Sequence, residues 1–173
     1  QYGKTEVWVH QGTNFDPIST NIESKAYQWR DEVNKISYVQ DWGLDKQTGT
    51  TALGADDRFI KQTDQTAVCP AGLSACVLAN FNQVFVEVFK TNFSGALESK
   101  AMQWTDEISK NNYVQDYGTD NLAGTSDDRF ITQIDRGKGC PPGLSSGCTN
   151  WAKTEVWSHQ GATFDPALTE SKA

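Results

Sequence analysis

Ala26-Tyr-Gln-Trp-Arg-Asp-Glu-Val33 returns 75 residues later as Ala101-Met-Gln-Trp-Thr-Asp-Glu-Ile108. Self-similarity at a fixed spacing is read before any local pattern, because it sets the unit that folds. The match extends in both directions. Glu23-Ser-Lys-Ala26 recurs as Glu98-Ser-Lys-Ala101 and again as Glu170-Ser-Lys-Ala173, and Tyr38-Val-Gln-Asp-Trp-Gly43 returns as Tyr113-Val-Gln-Asp-Tyr-Gly118. Asp56-Asp-Arg-Phe-Ile60 matches Asp127-Asp-Arg-Phe-Ile131 at an offset of 71, and Cys69-Pro-Ala-Gly-Leu-Ser74 matches Cys140-Pro-Pro-Gly-Leu-Ser145. Lys4-Thr-Glu-Val-Trp8 with His10-Gln-Gly12 reappears as Lys153-Thr-Glu-Val-Trp157 with His159-Gln-Gly161. Offsets that drift between blocks indicate loop insertions on a shared scaffold. The 173 residues therefore divide into a first unit over 1–83, a second over 84–152 and the opening strands of a third, incomplete unit over 153–173. Such a layout suits one stretch of a longer array, a subunit completed by a neighbour through strand addition, or a proteolytic boundary.

Within each unit the pattern has period 2. Thr5 to His10 alternates Thr, Val and Val on one face with Glu, Trp and His on the other, and Phe85 to Phe89 alternates likewise. Ala26 to Trp29, Ile36 to Gln40 and Arg58 to Gln62 are short aromatic or β-branched runs bounded by turn-forming residues. Asp31 to Lys35 has room for one helical turn, but no apolar stripe extends it. The expectation is an all-β fold of two tandem β-sandwich-like domains.

Fifteen basic residues against 22 acidic ones leave a net charge of -7. That charge repels nucleic acid and gives no footing on an anionic membrane, and no apolar run is long enough to insert in one. The acids are concentrated. Asp41, Asp45, Asp56 and Asp57 fall within 17 residues of the first unit, and Asp116, Asp120, Asp127 and Asp128 within 13 of the second, interleaved with glycines. Four carboxylates so close repel one another unless something neutralises them. Calcium, a hard cation taking six to eight oxygens, would do so, and the absence of His and Cys from both clusters argues against zinc, copper or iron. Turn formation by Asx side chains is the competing explanation.

The second cluster, Gly118-Thr-Asp120 followed by Gly124-Thr-Ser-Asp-Asp128, resembles the G-x-D-x-x-x-G-T-x-D-D acidic loop of repeat-built bacterial cell-surface and secreted proteins. The first fits only with three extra residues between Thr50 and Asp56. The resemblance covers about a dozen residues per unit and implies an extracellular setting and bound calcium.

Cys69 with Cys76, and Cys140 with Cys148, bracket short loops at corresponding places and read as two local disulfides, which again places the chain outside a reducing compartment. His10 and His159 read as surface histidines beside a Trp, since no nucleophile or acid partner is singled out. Trp29 and Trp104 read as core, whereas Trp8 and Trp157 fall on the face with Glu and His and are candidates for stacking on sugar rings. No P-loop, nucleophile elbow or zinc-protease motif occurs. Asp31-Glu32 and Asp106-Glu107 are the carboxylate pairs a glycosidase would need, but they are duplicated, and one active site seldom is. The expected function is that of a non-enzymatic extracellular structural protein (filament subunit, adhesin stalk or spacer) that self-associates or joins adjacent repeat units by strand addition. A glycan-binding module comes second and a glycosidase-like enzyme third.

Overall fold

The computed structural model describes residues 2–10, 22–43, 56–73, 76–138 and 152–172. Its strands are β1 (Tyr2–His10), β2 (Ile22–Asp31), β3 (Ile36–Asp41), β4 (Arg58–Gln65), β5 (Phe81–Phe89), β6 (Leu97–Asp106), β7 (Asn112–Asp116), β8 (Arg129–Lys138), β9 (Ala152–Gln160) and β10 (Ser171–Lys172). The all-β class is as expected. In the first part of the chain β1 pairs with β2, β2 with β3 and β3 with β4, and in the second β6 pairs with β7, β7 with β8, β8 with β9 and β9 with β10. The described pairings are antiparallel. Asp31 to Lys35 forms a reverse turn, not a helical one. Asp31 Oδ1 accepts from the N–H groups of Val33 and Asn34 at 3.0 and 3.1 Å, and Lys35 sits at φ 56°. Asp106 repeats the arrangement with Ile108 and Ser109, and Lys110 sits at φ 60°.

The chain separates into two compact units, one formed by Gln1–Asp64 with Val86–Lys100 and the other by Gln65–Phe85 with Ala101–Ala173. In the first, register places Trp29 opposite Tyr38 and Tyr38 opposite Lys61, with Tyr27, Gln40 and Phe59 in the next row but one. Side chains two residues apart share a face, so these rings stand together on one side of the strands. In the second unit Trp104, Tyr113 and Thr132 form the equivalent row, with Met102, Gln115 and Phe130 beside them.

Each of these aromatic faces is covered by one phenylalanine from the turn that follows. Phe93 meets Trp29, Tyr38 and Phe59 edge-on, at centroid distances of 6.1, 5.1 and 5.2 Å. Phe164 meets Trp104, Tyr113 and Phe130 likewise, at 6.1, 5.7 and 4.6 Å. Edge-to-face contact directs the positive ring edge at the negative ring face and adds to the gain from burial. Phe81, Trp104, Phe130 and Phe164 form the buried cluster of the second unit, with Leu73 and Cys76 packed against it.

The disulfide expected between Cys69 and Cys76 is present, and the turn it closes presses on this cluster. Phe164 N–H donates to Ala71 O at 2.9 Å, and Gly72, at φ 90°, leaves no room for a Cβ against the Phe164 carbonyl. Cys140 and Cys148 lie outside the described residues. Phe164→Ala is expected to cost about 3–5 kcal/mol, the usual loss for a buried ring, and the half-buried Phe93 less. Denaturant unfolding of the two variants measures both, and equal losses at the two sites would contradict the difference in burial.

Candidate functional site

The acidic loops are built alike where both are described. Each begins at the end of a central strand, where Tyr-Val-Gln-Asp alternates its side chains so that Tyr38 and Gln40, or Tyr113 and Gln115, face the aromatic side. Asp116 Oδ1 then accepts from Gly118 N–H at 3.1 Å, and Asp41 from Gly43 at the same distance. Both glycines have φ 61°, and a Cβ on either would collide with the carboxylate and carbonyl of Asp127 or Asp56. Glycine is needed there for space as well as for its left-handed backbone. Trp42 and Tyr117, the residues between, are buried beneath the turn.

The paired aspartates have different environments. Asp128 is 0% exposed; its Oδ2 accepts from Gln115 Nε2 at 2.6 Å and from Gly124 N–H at 2.8 Å. Asp57 is likewise buried and accepts from Gln40 Nε2 at 2.9 Å. Asp127 Oδ2 accepts from Thr119 N–H at 2.8 Å and the Thr119 hydroxyl at 3.0 Å. The Thr125 hydroxyl lies 2.7 Å from Asp127 Oδ1 and 3.1 Å from Asp128 Oδ1, and its single proton favours the nearer oxygen. Asp120 turns away, accepting from Leu122 N–H at 2.8 Å. Burial, with the Asp128 charge second, raises the Tyr117 phenol.

The eight acids singled out from the sequence thus divide. Asp116, Asp127 and Asp128 are brought together around Gly118 and Thr125, Asp120 faces its own turn, Asp41, Asp56 and Asp57 flank the first loop, and Asp45 lies outside the described residues. Among the described residues, no three acid, histidine or cysteine side chains converge as a metal ion would require. The self-repulsion that the sequence poses is answered here by the loop's own N–H and O–H donors. Gln40 and Gln115, which the sequence reading passed over, supply the link from loop to strand; their recurrence inside Tyr-Val-Gln-Asp was the available signal.

His159 corrects the expectation of a surface histidine. It is 0% exposed and stacks on Phe130 at 5.3 Å and 17°. Nε2 accepts from Asp165 N–H at 3.0 Å, so Nδ1 carries the proton and faces the Gln160 carbonyl at 3.2 Å. Trp157 is half-buried on that same face, opposite Thr132. The side chains of Trp8 and His10 lie outside what is described. Asp31 and Asp106, the acids of the glycosidase option, hold their turns as described above.

Among the described residues, those of the first unit line two cavities. One of about 320 Å³ is lined by Asp56, Asp57, Arg58, Lys90 and Glu98, with Arg58 and Glu98 paired at 3.4 Å. The other, about 300 Å³, is lined by Thr5, Gln28, Trp29, Arg30, Ser37 and Gln62. The chain matches no known protein family, no curated protein and no solved structure.

The Thr125 hydroxyl foremost, then the Thr119 donors, lower the Asp127 carboxyl from 3.8 to about 2. A carboxylate depressed in the folded state contributes stability that is complete above its unfolded range and lost as pH falls through its folded value. Thr125→Val is expected to return Asp127 toward its ordinary titration and to move acid unfolding to higher pH. Carboxyl NMR shifts followed against pH would detect this, and an unchanged Asp127 midpoint would contradict the assignment.

Proposed function

We propose that the chain is an extracellular, non-enzymatic structural repeat protein: a filament subunit, adhesin stalk or spacer. One observation carries this reading. The same internal ties occur at matching places in both units: a phenylalanine over a Trp-Tyr-Phe face, a Gln–Asp link, and a glycine wrapped by an aspartate. Each serves to hold strands and loops in place, and none singles out one unit as a reaction centre. The Cys69–Cys76 disulfide supports a setting outside a reducing compartment.

Growth by addition of further units, from the same chain or a second copy, is the assembly mode this role implies. An antiparallel sheet extends by backbone pairing at an edge strand, and among the described strands β1 stands at one end of the order and pairs with β2. Electron microscopy of the native material is expected to show filaments or rod-like arrays. Dispersed compact particles would overturn the filament form.

Calcium is proposed as a stiffener of the acidic loops, entering by exchange with the Thr119 and Thr125 donors that now hold Asp127. Chelation is then expected to lower the melting temperature by several degrees, recoverable with added calcium. A melting temperature indifferent to both would leave the loops tied by their own donors alone.

A further inference from the structure

The β5–β6 turn carries a sequence pattern that its counterparts in the repeat lack. Phe15 stands between Asn14 and Asp16 and Phe164 between Thr163 and Asp165, whereas Phe93 stands between Asn92 and Ser94. Asn92-Phe93-Ser94 is the one Asn-x-Ser/Thr sequence in the chain, the acceptor pattern for N-linked sugar. Asn92 and Ser94 are both exposed, while Phe93 is held edge-on against Trp29, Tyr38 and Phe59. The half-buried ring anchors the turn, and the two residues the modification needs stand on either side of it.

The local geometry suits the chemistry. Asn92 Oδ1 accepts from the Ser94 N–H and from the Ser94 hydroxyl, each at 2.9 Å. Gly95 N–H donates to the Asn92 carbonyl at 2.9 Å, and Lys90 N–H to Ala96 O at 3.1 Å, so the turn is closed at its tip and at its base. A hydroxyl donating to the amide oxygen draws electron density toward that oxygen and makes the Nδ2 protons more acidic. Nδ2 itself is spent on no intramolecular bond among the described residues. In the equivalent turn Thr163 precedes Phe164 and Asp165 follows it, so neither flank offers an amide nitrogen, and Asp165 Oδ1 accepts from Ala167 N–H at 2.9 Å.

We propose that Asn92 is an N-glycosylation acceptor, its donor a lipid-phosphate-linked oligosaccharide. Asn92 Nδ2 attacks the anomeric carbon and forms the C–N bond. The bond from that carbon to the phosphate oxygen breaks, the lipid phosphate leaves with the electron pair, and one Nδ2 proton passes to a base of the transferase. The proposal shares with the structural role only its extracytoplasmic setting.

Trypsin releases the site as Thr91–Lys100. Mass spectrometry of the native exported protein is expected to find this peptide heavier by an oligosaccharide located on Asn92. Expressed in the native host, Ser94→Ala is expected to return it to the unmodified mass, and Ser94→Thr to keep the sugar. An unmodified peptide in exported protein, or sugar on Ser94 instead of Asn92, overturns the acceptor assignment and leaves the structural role standing. Unmodified protein confined to the cytosol overturns both.

Discussion

Each unit depends on one phenylalanine being placed over a Trp-Tyr-Phe face. Strands that carry large rings on one side cannot leave them in water, since a sheet needs its apolar face covered to be stable. Neither a second sheet nor a helix does this within the described units; a turn does, through Phe93 in one and Phe164 in the other. The cover works only if three strands are in register, because its contacts come from β2, β3 and β4, or from β6, β7 and β8. A slip of one residue would turn every ring to the opposite face. Register, turn geometry and ring packing therefore specify one another. In the second unit the Cys69–Cys76 turn adds a further restraint through the Phe164 backbone.

The acidic loops are the second element of this arrangement. A buried carboxylate is tolerated only when it is hydrogen-bonded, and Asp128 meets that condition through Oδ2 with a side-chain amide and a backbone N–H. The amide comes from Gln115, between Tyr113 and Tyr117 in the sequence, so the loop is tied to the strand that carries part of the aromatic face. Charge that looked surplus in the sequence has a structural use: it orients the loop's donors inward. The wrap of Asp127 around Gly118 follows from the same geometry.

The period-2 pattern and the repeat were both legible in the sequence, and they place Trp29 with Trp104 and Tyr38 with Tyr113 before any coordinate is known. Which face is inward was not legible. Val7 and Val9 look like the apolar side of β1, yet Val9 is 49% exposed, while His159 and Trp157, on the side read as polar, turn toward Phe130 and Thr132. Hydropathy ranks valine above histidine, but a planar ring that stacks and has both nitrogens engaged is easily buried. Phe93 and Phe164 escaped notice for another reason: they lie in turns, where no strand periodicity marks them. The disulfide was legible from the bracketing cysteines, whereas Asp31 to Lys35, which has room for one helical turn, closes instead through the Asp31 carboxylate.

The places where the two units differ are as informative as those where they agree. At the 71-residue offset shared by the Asp-Asp-Arg-Phe-Ile block and the covering phenylalanines, Lys61 and Glu87 of the first unit correspond to Thr132 and Ser158 of the second, and Val88 corresponds to His159. The first unit has an ion pair at 2.9 Å, whereas the second has a buried Thr132 hydroxyl with no hydrogen-bond partner among the described residues and a Ser158 hydroxyl bonded to Ser171 at 2.8 Å. Val88 needs no partner, whereas His159 takes two. These are alternative ways of filling the same space beside an unchanged aromatic face. The Gln–Asp link and the Asp–Gly turn are held in both units, while the polar groups at these three positions vary. The two copies thus differ at single strand positions and in the turns without disturbing the rings that lie beneath.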